Sequence, residues 1–206
     1  MHRPKRFKIA RRLGPAVFEQ TQTERFALSE ARKKKGQEKG KHRRNISAYN
    51  IALRDKQRVR FYYGVTERQF ARYVKESAAK TGDPSITLFS TLERRLDNVV
   101  FRSGLAPTHR AARQMVSHGH ITVNGKKIRV PSHTVHEGDL IAVRDGSRNL
   151  KPFIKEGGEK EAAVTKLPSW IAFDEKKSAW KVSGAPKADE MQSAFNFTSI
   201  IEFYSR

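Results

Sequence analysis

The residues able to do chemistry are cations, and they gather in one stretch, Leu92–Val130, LERRLDNVVFRSGLAPTHRAARQMVSHGHITVNGKKIRV. Asn124-Gly125 is the strongest two-residue hairpin signal, a type I′ turn. It sets Val123 against Lys126, Thr122 against Lys127, Ile121 against Ile128 and His120 against Arg129. Strand side chains alternate, so Ile121, Val123 and Ile128 share an apolar face while His120, Thr122, Lys127 and Arg129 share the opposite one. Ahead of the hairpin, Arg94, Arg95, His109, Arg110, Arg113 and His118 lie off the apolar stripes of two short helical segments. The nearby acids, Glu93, Asp97 and Asp139, lie outside the hairpin. This is the chemistry of anion binding: Arg and Lys fix register on a phosphate backbone while carrying little sequence information.

The elements that must hold these groups can be read from periodicity. Leu92, Leu96, Val99 and Val100 fall on one helical stripe, which Gly104 can close. Pro107 pushes Ala106 out of the helical region, and Thr108 caps a second helix in which Ala112, Met115 and Val116 face inward. Gly119 suits the residue beyond its end. Upstream, Ser47–Tyr63 reads as a helix ending at Gly64, with Arg54 and Arg58, and Lys56 and Arg60, as like-charged i,i+4 neighbours. Such pairs weaken an isolated helix, so an external anion is expected to relieve them. Thr66 and Gln69 form a capping box and Val65 can staple onto Phe70, placing Arg68 and Arg72 outside the buried stripe. Gly82-Asp83-Pro84 ends that helix and marks a break between subdomains. Glu137-Gly138-Asp139 reads as a turn leading into the strand Leu140–Val143, and residues 168–174 and 179–182 alternate like short strands. The segment 146–166 reads as linker, and the apolar end 198–206 should dock on the body.

Composition narrows the function class. The chain has 206 residues, 42 Lys plus Arg against 21 Asp plus Glu, and a formal net charge of +21. An imbalance of this size favours a polyanionic partner. A membrane surface would call for one basic amphipathic helix, whereas the basic residues here run through every segment. No apolar run reaches the roughly 18 residues of a bilayer span. The start, MHRPKRFKIARRLG, lacks a following apolar stretch, so a secretory signal is not expected. Cysteine is absent, which excludes disulfides, thiol catalysis and Cys-ligated zinc. Residues 1–46 are densely charged, and Gly36–Arg44 cannot bury enough apolar surface to order alone. They are read as an arm that orders on RNA.

Leu92–Val130 resembles the S-four RNA-binding fold, two helices and a hairpin presenting one basic surface. The likeness extends to the family of the bacterial small-subunit ribosomal protein S-four. Leu53-Arg54-Asp55-Lys56-Gln57-Arg58-Val59-Arg60 and Tyr63-Gly64-Val65-Thr66-Glu67-Arg68-Gln69-Phe70 are similar to its helical signature. Leu92–Val100 and Arg113–Gly125 resemble its central block, and Ile201–Arg206 its terminus. The resemblance implies a primary binder of small-subunit ribosomal RNA that nucleates assembly of the subunit body and supports translational accuracy. It implies a cytoplasmic ribosomal location, a neighbouring protein S-five, a monomer within the particle and sometimes repression of its own messenger RNA. Three departures stand out. The cysteine zinc knuckle of some relatives is missing, only Gly36-Gln37 remains of a Pro-Gly-Gln-His-Gly segment, and Asn196-Phe197 replaces a more acidic pattern.

The expected fold class is α+β, a mainly helical body with an inserted small helix-helix-hairpin (αL-type) RNA-binding module. Residues 1–46 form the arm, 47–91 with 151–206 the body and its C-terminal strands, and 92–150 the module. RNA contact is expected at Arg54, Lys56, Arg58, Arg60, Arg68 and Arg72 on the body. On the module it is expected at Arg94, Arg95, His109, Arg110, Arg113, His118, His120, Thr122, Lys127 and Arg129. No catalysis, metal or cofactor is expected. Arg95-Leu96-Asp97 resembles the Arg-Leu-Asp of pseudouridine synthases, but no region remains to build a catalytic domain around Asp97. His118-x-His120 and His133-x-x-His136 could suggest a metal, yet they lack cysteine or an acidic surrounding. A DNA-binding regulator is the rival, since two helices joined by Gly104–Pro107 imitate a helix-turn-helix, though no dimerisation helix accompanies them.

Overall fold

The structure is a computed structural model that describes residues 5–37, 47–148, 150, 167–175, 177–190 and 195–205. In chain order its helices are α1 (Arg6–Leu13), α2 (Glu24–Gln37), α3 (Ala48–Tyr62), α4 (Glu67–Ala78), α5 (Pro84–Glu93), α6 (Leu96–Arg102), α7 (His109–His118) and α8 (Phe197–Ser205). The strands are β1 (Ile121–Val123), β2 (Lys126–Lys127), β3 (Leu140–Val143), β4 (Ile171–Asp174) and β5 (Ala179–Val182). They form one antiparallel sheet in the order β2-β1-β3-β5-β4, so the chain is α+β. It divides into two compact units, Met1–Ser85 with Gln192–Arg206, and Ile86–Met191.

The first unit is helical. Ser47 caps α3 by accepting from the Asn50 N–H, and Thr66 caps α4 by accepting from the Gln69 N–H at 3.3 Å. Gln69 turns its own amide to the Tyr73 hydroxyl at 3.0 Å, so the expected reciprocal box gives way to a contact one turn along α4. The basic N-terminal stretch departs from the expectation of an unordered arm. Over residues 5–37 it is largely helical, with Ala10, Leu13, Val17 and Phe26 buried, and the Leu13 carbonyl accepts from Arg58 Nε. Four well-spaced apolar residues suffice to dock a segment whose average composition is polar. Of the Gly36–Arg44 reading, residues 38–44 lie outside the described residues, as do residues 151–166 of the expected linker.

The C-terminal segment folds as α8 and packs on α3 and α4. Tyr49 and Phe203 rings lie 5.3 Å apart, and Tyr204 Oη donates to Glu67 Oε1 at 2.9 Å. The same oxygen accepts from Lys56 Nζ at 2.6 Å, and Arg60 Nε stands 3.3 Å from Glu67 Oε2. Burial opposes ionisation of Glu67, but the Lys56 and Tyr204 hydrogen bonds outweigh it and hold the carboxyl below its usual 4.5. Burial, then the bond to Glu67, pushes the Tyr204 phenol up.

The second unit is a sheet covered by α6 and α7. The core joins Leu96, Val99 and Val100 of α6 and Met115 and Val116 of α7 to Ile121, Ile141, Ile171 and Val182 of the sheet. The hairpin has the expected register, Thr122 opposite Lys127 and Val123 opposite Lys126, and both turn residues take positive φ, Asn124 at 51° and Gly125 at 76°. Asn124 also fastens the hairpin to β3: its amide donates to Asp139 Oδ1 at 2.7 Å and its oxygen accepts from the Leu140 N–H at 2.9 Å.

Two expectations about boundaries are corrected. The helix expected to begin at Leu92 is interrupted: α5 ends at Glu93, Arg95 is extended (φ −70°, ψ 137°) and bridges Thr134, and α6 starts at Leu96. The orphan N–H groups of the first turn of α6 find partners in the loop beyond the hairpin, Leu96 N–H to the His133 carbonyl and Asp97 N–H to the Pro131 carbonyl. Second, β4 and β5 pair with β3, so these late strands complete the sheet of the second unit and do not join the helical body. Strand pairing between segments this far apart leaves no local sequence signal.

The interruption is held by a buried polar cluster. The Arg95 guanidinium, 1% exposed, forks onto Asp97 with Nε–Oδ1 3.0 Å and Nη2–Oδ2 2.7 Å. Asn98 donates to Glu93 Oε2 at 2.8 Å and lies 3.0 Å from His109 Nε2, and Arg102 Nη2 donates to Glu93 Oε1 at 2.7 Å.

Two stability tests follow from these networks. Asp97→Ala strips the buried Arg95 of its counter-charge and is expected to cost about 3–5 kcal/mol, read as a lower urea midpoint at unchanged m-value. Replacing the pair together, Arg95→Met with Asp97→Leu, should recover most of that loss. Glu67→Gln leaves the buried Lys56 without its carboxylate and should cost about 1–3 kcal/mol at neutral pH. A depressed carboxyl stabilises above its unfolded value and loses that contribution as pH falls through its folded one. The gap between wild type and E67Q in urea titrations should therefore narrow below about pH 4.5.

Candidate nucleic-acid interface

The surface is built where α7 ends. Gly119 caps the helix in the left-handed conformation, φ 73°, ψ 36°, and turns the chain directly into the hairpin. The side chains of Lys127 and Arg129 run across its bare Cα. A Cβ at Gly119 would collide with Lys127 Cε and crowd Arg129 Nε at 3.2 Å. His118 and His120 flank the glycine with ring centroids 5.9 Å apart. The β1–β3 pairing adds Arg144, whose N–H donates to the His120 carbonyl at 2.8 Å, and Ser147 Oγ lies 3.0 Å from His120 Nδ1.

Among the described residues, the charges that act on Lys127 and His120 are positive. The charges acting on the Lys127 ammonium are the Arg129 guanidinium first and also Arg144, and they hold it below the ordinary lysine value. Burial pushes the His120 imidazole down, and His118, Arg144 and Lys127 push it further. Cations that raise one another's cost of protonation are relieved when an anion arrives. A phosphate placed among them lowers the energy of every member.

Other sequence-identified cations serve the fold. Arg95 is fully buried on Asp97, and Lys56, 7% exposed, is held by Glu67 with its Nζ 4.9 Å from the Phe203 ring centre. His109 is stacked on Phe101 at 3.9 Å and bound to Asn98. Thr122 gives its hydroxyl to the Ala142 carbonyl at 3.2 Å, because β1 lies between β2 and β3 rather than at an edge. These four are corrected from contact residues to internal ones, since each polar end is enclosed by the protein. Arg58 bonds Asp55 and the Leu13 carbonyl, Arg60 bonds Gln57 and stands over Phe61, and Arg94 donates to the Val135 carbonyl at 2.9 Å. Arg94 Nη2 also lies 3.3 Å from His136 Nδ1.

The remaining predicted residues fall into separate groups. On the first unit Arg68 and Arg72 are exposed, Arg72 with Glu76 at 3.4 Å, and Arg54 is half-buried. On the second unit Arg110, His118, Lys127 and Arg129 are exposed and His120 is half-buried. Arg113 is partly exposed, its Nε 3.8 Å from Asp97 Oδ2, so the buried carboxylate that neutralises Arg95 also orients a surface arginine. Arg144 was missed. It directly follows the apolar run of β3, and only the β1–β3 register, not spacing along the chain, puts it beside His120.

Comparison with known proteins agrees with this architecture. A family model described as the S4 domain matches residues 94–141, and one described as the ribosomal protein S4/S9 N-terminal domain matches residues 2–93. Small ribosomal subunit protein uS4A of Symbiobacterium thermophilum is 46% identical over 167 residues, covering 81% of this chain and 79% of its own. The uS4 protein of Limosilactobacillus reuteri is 45% identical, covering 81% of this chain and 82% of its own. That of Chlorobium limicola is 38% identical over 199 residues, 97% of this chain and 96% of its own. The two family models together match residues 2–141, and the chain belongs to the uS4 family of small ribosomal subunit proteins.

Proposed function

We propose that the chain is a structural, non-enzymatic constituent of the small ribosomal subunit that binds its ribosomal RNA. The observation that carries the RNA contact is the gathering of three cations at the end of α7, with Lys127 and Arg129 lying over Gly119 and Arg144 joined through its backbone to His120. Family membership supports the ribosomal setting. The α6–α7–hairpin segment acts as the αL-type RNA-contacting module, with Arg110, Arg113 and His118 extending the surface. Arg54, Arg68 and Arg72 supply a second set of phosphate contacts from the helical body, and the basic residues of the 1–46 arm add to them. On this reading the protein joins the RNA early, nucleates assembly of the subunit body and supports accuracy, as a monomer beside the neighbouring protein S-five.

The rival reading as a DNA-binding regulator has little in its favour. A helix-turn-helix needs a stable first helix to cross the backbone, whereas α6 is seven residues long and its first turn is tied to residues 131 and 133. Asp97, the one candidate nucleophile, is enclosed with Arg95.

Removing one cation from a phosphate should reduce the slope of log K against log salt by about 0.9 in the duplex limit. Lys127→Glu and Arg113→Glu are therefore each expected to weaken binding to small-subunit ribosomal RNA and to flatten its salt dependence in filter-binding titrations. Unchanged slopes would show that these side chains face solvent in the complex. A wild-type preference for duplex DNA over structured RNA of equal length, at one salt concentration, would sink the ribosomal-RNA reading.

A further inference from the structure

Beside the cationic group lies a cleft of about 380 Å³. This falls within the range of small-ligand sites, about 300–1,000 Å³. Its walls are apolar, formed by Pro107, Ala111 and Met115 of the α7 region and by Leu150. Its rim carries Gln114, His118 and His120. His120 belongs to both features: it lines the cleft, and its carbonyl accepts from the Arg144 N–H at 2.8 Å. The site therefore joins an apolar cleft to a cluster of cations that attracts phosphate. An amphiphile with one anionic group and one planar, hydrogen-bonding body fits both halves.

We propose that this cleft receives the base of a single unstacked RNA nucleotide, with the adjoining phosphate on Lys127, Arg129 and Arg144. The proposal rests on the RNA-binding reading above and adds to it a point of base recognition. Proteins that read RNA sequence do so by capturing splayed-out bases, stacking them on aromatic groups that include histidine and bonding their edges. The His118 and His120 rings, tilted 34° to each other, provide stacking surfaces at the mouth. The exposed Gln114 amide offers a donor and an acceptor to the base edge. Among the described residues this apolar lining stays open, and a base covers it.

The test uses the full chain and whole small-subunit ribosomal RNA. Ala111→Phe fills the cleft without altering any charge. Losing one stacked base should lower affinity roughly tenfold, at an unchanged salt slope. In the wild-type complex, short-wavelength ultraviolet crosslinking followed by mass spectrometry should place a nucleotide adduct between Met115 and His120, and A111F should lose it. Wild-type affinity in A111F, or an adduct only elsewhere, overturns the cleft while leaving RNA binding intact. Failure of the wild type to bind ribosomal RNA overturns both readings. If A111F does not fold by circular dichroism, Leu150→Trp fills the cleft from its exposed wall, and the wild-type adduct decides independently.

Discussion

The second unit depends on one constraint: two buried acids, Asp97 and Glu93, must each be met by an arginine at the break between α5 and α6. Arg95 reaches Asp97 only because its backbone leaves the helix, and that extended residue bridges Thr134 while the next two N–H groups bond the loop at 131–133. An isolated buried charge costs several kcal/mol or more, so the pairs hold only in the geometry that satisfies them. Glu93 performs the same task one turn earlier, tying Arg102 and Asn98 and, through Asn98, His109 of α7. The cluster thus ties α6 to α7, through His109 on Asn98 and Arg113 beside Asp97.

The basic residues divide by what neutralises them. Arg95, Arg102, Lys56 and Arg58 have carboxylates at hydrogen-bond distance and belong to the scaffold. Lys127 lies beside Arg129 and Arg144, whose charges push its ammonium below the ordinary lysine value. A folded protein tolerates that tension on a rigid strand pair because the cost is shared among solvated ends. On a flexible loop the charges would separate, and the preorganised site would be lost. Placement next to a glycine deepens the effect, since Lys127 and Arg129 can lie flat over Gly119 only while it has no side chain.

Local signals in the sequence translated directly into structure. Ser47, Thr66 and Thr108 each cap a helix, Gly119 takes the left-handed cap, and Asn124-Gly125 makes the turn that sets the hairpin register. Non-local features were not legible. The stripe through Leu92, Leu96 and Val99 is continuous in sequence, and nothing in its periodicity shows that residues 131–134 bond its middle and break it. Pairing of β5 with β3 joins segments about forty residues apart, so the late strands could be recognised as strands but not assigned to a sheet. The candidate site shows the same division. Charge type and strand alternation identified Lys127, Arg129 and His120, whereas the buried state of Arg95, Lys56, His109 and Thr122 and the arrival of Arg144 depend on tertiary contacts.

The order of the chain has a consequence for synthesis at the ribosome. Residues 195–205, which supply α8 to the helical unit, and β5, which supplies Val182 to the sheet core, are made after α3, α4 and the hairpin. A nascent chain carrying α3, α4 and the finished hairpin still has open apolar faces in both units. Long-range pairings of this kind form slowly because the loop must close before the contact repays it. The growing polypeptide therefore displays its polyanion-seeking cations well before its cores can close, and for that interval its greatest exposure is to premature association rather than to unfolding.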